Sequence, residues 1–152
     1  KGNYYIDQIG FYDDIEEFQV PVGEWRGWYE DGKEEYIEQF NKKGENDGIF
    51  TFWNKDGIKT REWYYKNGQK DGTFKIWYDD GKKSKETIFK KGKKDGFACE
   101  WYQNGKPKLE TTFKDGLKNG THIEWDESGE KVIEGKFKKG VLISKTPLGR
   151  CS

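Results

Sequence analysis

The chain is 152 residues long, a size for one domain or one repeat array, and only 32% of its residues are hydrophobic against 37% charged. That balance leans towards disorder, but 17% of residues are aromatic and the 20 glycines are regularly placed. Each aromatic can bury about 150–250 Å², so Trp, Tyr and Phe stand in for an aliphatic core. The 28 basic residues equal the 28 acidic ones. The one-sign surplus that captures nucleic acid or an anionic membrane is therefore missing, although one face can still be basic, and no apolar run is long enough for a membrane-spanning helix.

Residues 1–22 come first and show no repeat. They carry Tyr4, Tyr5, Ile6, Ile9, Phe11, Tyr12, Ile15 and Phe18, and read as a divergent N-terminal segment and candidate cap. A start at Lys1 without any methionine is expected of a processed product or an excised piece.

From Gly23 to Gly140 the sequence repeats. Gly48, Gly72, Gly96 and Gly120 are spaced by 24, as are Gly57, Gly81, Gly105 and Gly129, and again Gly68, Gly92, Gly116 and Gly140. Trp53, Trp77, Trp101 and Trp125 keep the same step, with Trp28 in the corresponding place of an earlier copy that has one extra residue before Gly44. Tyr65, Phe89, Phe113 and Phe137 recur too, as do Glu62, Glu86, Glu110 and Glu134. Five copies therefore fill 23–140. Within each, runs such as Asp71–Tyr78 and Lys82–Phe89 are strand-like and bounded by Asp-Gly or Asn-Gly, the preferred two-residue hairpin turns. The expected fold is all-β: an elongated antiparallel meander of consecutive β-hairpins with period 24 and roughly ten to twelve strands. The Tyr65/Phe89 place is expected to fill the gaps between repeated tryptophans on one face of the sheet. Residues 141–152 close the array with the apolar stretch Val141–Ser144, a free edge able to pair with a second copy.

The order Phe/Tyr-x-x-Gly-x-x-Asp/Asn-Gly-x-x-x-x-Trp-x-x-x-Gly is seen at Phe89–Lys106 and again from Phe113 to Glu130. It resembles the MORN repeat, and more closely the bacterial variant found in YwqK-type antitoxin-like proteins. The resemblance implies an elongated sheet of consecutive hairpins that binds proteins or lipids or acts as a scaffold; it does not imply an active site. The eukaryotic Gly-x-Gly step in the first strand is missing here, which weakens transfer of lipid binding.

Chemistry-bearing residues are few. The glutamate row would space carboxylates nearly 10 Å apart, too far to share one ion at about 2.3–2.6 Å; each is expected to pair with a neighbouring lysine. His122, the sole histidine, replaces Phe50, Phe74 or Ala98 of other copies and has no catalytic partner at a recognisable spacing. Cys99 reads as a packing residue, and Cys151 lies in the tail. No enzyme, metal or cofactor is expected.

Where copies differ is the stronger signal. Surplus aromatics collect in the N-terminal half: Trp25, Phe50, Phe52, Tyr64 and Phe74 form the candidate binding patch, facing away from the structural tryptophans. In the later copies Ala98, Glu100, His122 and Glu124 replace them. Either residues 1–22 cap this patch, as terminal repeats require, or it binds a partner protein, as Trp and Tyr do at interface hot spots. Tyr29, Tyr78 and Tyr102, beside the repeated Trp, are further contact candidates. The expected function is protein interaction, surface adhesion or scaffolding, exported or on a bacterial surface. An antitoxin-like cytoplasmic protein with a toxin partner is the alternative, and a lipid-surface binder the third.

Overall fold

The computed structural model describes residues 20–147. The cap expected over 1–22 falls almost wholly outside them, as does Cys151. Twelve strands form one antiparallel sheet, and the described residues contain no helix. In chain order they are β1 (Gly23–Trp28), β2 (Glu34–Phe40), β3 (Gly48–Trp53), β4 (Lys59–Lys66), β5 (Gln69–Lys70), β6 (Gly72–Trp77), β7 (Lys83–Lys90), β8 (Lys93–Trp101), β9 (Pro107–Lys114), β10 (Leu117–Trp125), β11 (Lys131–Lys138) and β12 (Val141–Pro147). Each strand pairs with its neighbours in sequence, and the short β5 shares the β4 edge with β6.

Two kinds of turn alternate. Two-residue turns sit at Asn67-Gly68, Lys91-Gly92, Asp115-Gly116 and Lys139-Gly140, each with left-handed φ at both residues (48° and 74° at the first, for example). That is the mirror-image turn that matches strand twist. The other connections are five-residue loops such as Tyr29–Lys33 and Tyr78–Lys82, closed by the first residue's N–H donating to the fifth carbonyl (2.8 Å in both).

The Asp-Gly pairs at 47–48, 71–72 and 95–96 are not hairpin turns, which corrects the sequence expectation. They are interruptions inside first strands: β8 runs from Lys94, opposite Phe89, to Ala98, opposite Thr87, so it carries two more residues than β7 over that stretch. The reason lies between copies. The side chain of Asp47 accepts from Asn67 N (3.1 Å), Asp71 from Lys91 N (3.3 Å), Asp95 from Asp115 N (3.3 Å), and Asn119 from Lys139 N (3.3 Å). The carbonyls of Asn46, Lys70, Lys94 and Lys118 accept from Gly68, Gly92, Gly116 and Gly140 at 2.8 Å each. The interruption of one copy thus holds the tight turn of the next. Gly96 is needed there: its φ is +123°, and an added Cβ would lie 3.2 Å from Ile88.

The sheet has little buried interior. Phe50 and Ala98 are its buried hydrophobic side chains among the described residues, and Thr51, Thr87, Thr111 and His122 are its buried polar ones. Register places Thr87 opposite Ala98, Ala98 opposite Thr111, and Thr111 opposite His122. These four form one row across β7–β10, the thin core of that half.

Candidate binding surface

Side-chain alternation gives the sheet two faces. On one, Glu62 lies opposite Thr51 and Lys75. The Lys59 ammonium sits 2.6 Å from the Glu62 carboxylate and 5.8 Å from the Trp77 ring centroid. Lys83 repeats this with Glu86 at 2.8 Å and Trp101 at 5.4 Å. These contacts put Trp77 and Trp101 on the glutamate face, each ring beneath a paired ammonium. Lys131 likewise reaches Glu134, whereas Glu110 has Pro107 in the lysine place. Charge pairing with lysine thus accounts for Glu62, Glu86 and Glu134, as expected, but not for Glu110.

The opposite face carries the aromatics, in two runs. Trp25, Phe40, Phe50 and Tyr65 follow one another with ring centroids 6.4, 5.6 and 5.1 Å apart. Tyr36, Phe52, Trp63, Phe74 and Phe89 follow at 6.3, 5.6, 5.0 and 6.0 Å. All but one of these contacts are edge-to-face, an arrangement worth about 0.5–1.5 kcal/mol per pair beyond area burial. The repeated Phe/Tyr place therefore belongs here and does not fill the tryptophan row. Its parity decides this: Phe89 lies two residues from Thr87, and Thr87 is the register partner of Phe74. Gly27 provides the slot for Tyr36, since a Cβ there would meet the ring at 2.1 Å.

Polar groups punctuate the aromatic runs. The Lys70 ammonium lies over three rings, those of Trp63 (5.1 Å), Phe74 (4.7 Å) and Phe89 (5.4 Å). Burial holds the Glu38 carboxyl, opposite Trp25, above the usual carboxylate range. The indole Nε1 of Trp63 is buried without a hydrogen-bond partner.

Further along the same face the character changes. Lys85 pairs with Glu100 at 2.7 Å, and Lys94 and Lys118 cover Phe113 and Phe137 at 4.8 Å each. Thr111 Oγ1 and His122 Nδ1 are 2.7 Å apart, and His122 Nε2 is 2.9 Å from Glu124 Oε1. A hydroxyl, an imidazole and a carboxylate are the components of an acyl-transfer relay. Here Thr111 is only 2% exposed, so its hydroxyl cannot meet a substrate, and the chain of bonds satisfies buried polar groups. Sequence reasoning missed these partners because they come from the neighbouring strand and from two residues along β10; the 24-residue period was the signal that aligned them.

Of the sequence-derived patch, the structure brings together Trp25, Phe50, Phe52 and Phe74, and adds Tyr36, Phe40, Trp63, Tyr65 and Phe89. Tyr64 does not join them. It lies opposite Ile49 on the glutamate face, 40% exposed, its ring beside Gly72. The tyrosines beside the repeated Trp are half-buried, and their hydroxyls bridge copies: Tyr29 Oη donates to Trp53 O (2.7 Å), Tyr78 to Trp101 O (2.7 Å) and Tyr102 to Trp125 O (2.8 Å). Cys99 is a free, half-buried thiol that burial makes harder to ionise.

Three of the five copies, at residues 21–42, 70–91 and 94–115, match the MORN repeat variant family. No curated protein matches the chain. MORN repeats are generally associated with protein or membrane binding and are generally non-catalytic.

Proposed function

We propose that the chain is a non-enzymatic interaction module that binds another protein through the aromatic face of β1–β7. One observation carries this: a single register gives Phe50, Trp63 and Phe74 in the early copies and Thr87, Ala98, Thr111 and His122 in the later ones. The backbone hydrogen bonds between copies recur in both halves, so the fold does not demand the extra rings. Rings of this kind dominate the energetics of protein interfaces. Beside them, Arg61, opposite Phe52 and Ile76, offers a cation at the margin of the patch.

The test presents the immobilised full chain to extract of the cells that make it and, separately, to neutral and anionic liposomes. A specific protein retained by the native chain and by Tyr64→Ser, but lost with Phe52→Ser, supports the reading. Circular dichroism verifies that both variants keep the sheet. Retention indifferent to Phe52, or capture by liposomes in place of protein, overturns it.

A further inference from the structure

We propose that the aromatic face also binds residues 1–19 of the same chain, which makes that segment an intramolecular ligand and competitor for the partner. The inference rests on reading this face as a binding surface. It starts from where the segment joins. The described chain begins at Val20, whose side chain lies beside Gly44 at the far end of β2, and Val22 O accepts from the Trp25 indole N–H (3.2 Å). The segment therefore enters next to Trp25, the first ring of the aromatic runs.

Chemistry matches on both sides. Residues 1–19 hold Tyr, Ile and Phe side chains together with Asp7, Asp13, Asp14, Glu16 and Glu17, against the single cation Lys1. The face offers aromatic rings with Arg61, Lys70, Lys85 and Lys94 among them, against Glu38 and Glu100. Opposite net charge with apolar surface on both partners selects this pairing over one with the glutamate face, where carboxylates already hold Lys59, Lys75, Lys83 and Lys131, whereas Lys70 and Lys94 lie over rings. Every described strand lies in the one sheet, so none of them crosses over the rings. Reach is ample: 19 residues extend up to roughly 60 Å, whereas β1 to β7 spans five strand spacings, about 24 Å. A tethered ligand competes at an effective concentration in the millimolar range for a short flexible link. An external partner must then carry similar chemistry, an acidic segment bearing aromatic or branched side chains.

Zero-length carbodiimide cross-linking of the full chain, read by mass spectrometry, tests this. Asp13 and Asp14 are expected to couple to Lys70, and Asp7 to Lys94, in monomeric protein and independently of concentration. The 2.7 Å Lys85–Glu100 pair is the internal control. In the full chain with Ile15→Asp and Phe18→Asp these couplings disappear while the control remains. Couplings confined to Lys75, Lys136 or other lysines off this face, or none at all beside a working control, overturn the proposal. If the couplings form but no partner depends on Phe52, the segment proposal stands and the interaction reading fails. If a Phe52-dependent partner is found without the couplings, the reverse holds.

Discussion

Thr87 and Thr111 occupy the same place in successive copies, and they are predicted to respond to the same substitution with opposite sign. Thr87 is 1% exposed and its Oγ1 has no hydrogen-bond partner, because Ala98 stands opposite. Thr111 is 2% exposed, but His122 stands opposite and takes its hydroxyl at 2.7 Å. A buried hydroxyl without a partner costs about 1–3 kcal/mol. Thr→Val keeps the β-branched shape and removes only the polar atom. Thr87→Val is therefore expected to stabilise the protein by about 1 kcal/mol, while Thr111→Val loses a bond, strands His122 Nδ1 and destabilises it by about 1–2 kcal/mol. At this chain length 1 kcal/mol corresponds to roughly 2–4 °C in Tm. Paired urea and thermal melts of the two variants provide the assay. Shifts of the same sign in both would refute the reasoning, since the hydroxyl's partner is the principal difference it invokes.

Tyr78→Phe deletes the hydroxyl that binds Trp101 O and should cost about 1 kcal/mol in a urea melt, with hydrogen exchange rising first around the Tyr78–Lys82 loop. Gly96→Ala should destabilise by about 1–3 kcal/mol because of its left-handed φ, and pairing it with Ile88→Ala should recover only the steric part. Two carboxylates should respond oppositely to pH. Lys59 and Lys75 hold the Glu62 carboxyl below its ordinary range, so its contribution is present above the unfolded value and lost as pH falls through the folded one. Glu38 is held above its range by burial, so its charge costs stability at neutral pH and protonation on acidification relieves that cost. Glu62→Gln should thus lower stability at pH 7 and Glu38→Gln raise it, with both differences vanishing in acid; parallel melts from pH 3 to 7 would expose a wrong sign.

The repeat made the sheet legible because a period of 24 fixes every strand and loop once one copy is read. Turn chemistry misled where one dipeptide serves two purposes. Asp115-Gly116 is a tight turn, whereas Asp95-Gly96 interrupts a strand so that Asp95 can hold Asp115 N. Nothing local to Asp95 distinguishes the two; the partner lies 20 residues on. The same applies to the site. Alternation placed Phe50, Phe52 and Phe74 together, but it assigned Tyr64 without the register, and Trp63 is the β4 residue opposite Phe50. The tyrosines beside Trp looked available because a hydroxyl bond to the next copy leaves no mark within its own.

The two faces divide the work. Contacts that hold copy to copy run through backbone, loops and the Asp or Asn that precedes each repeated glycine, or through lysine, glutamate and tryptophan on the glutamate face. The backbone and Asp or Asn contacts recur at the period, and the lysine–glutamate pairs recur except at Glu110, so a change there disturbs equivalent bonds. The central row of the aromatic face is held by no such bond, and there Phe50, Phe74, Ala98 and His122 replace one another with the backbone pairing intact. That freedom explains how one half of a repetitive sheet can carry contiguous rings while the other closes itself with Thr111, His122 and lysines. It also predicts asymmetry: charge placed on the aromatic face should alter partner binding when it falls in β3–β6, and chiefly stability when it falls in β9–β11.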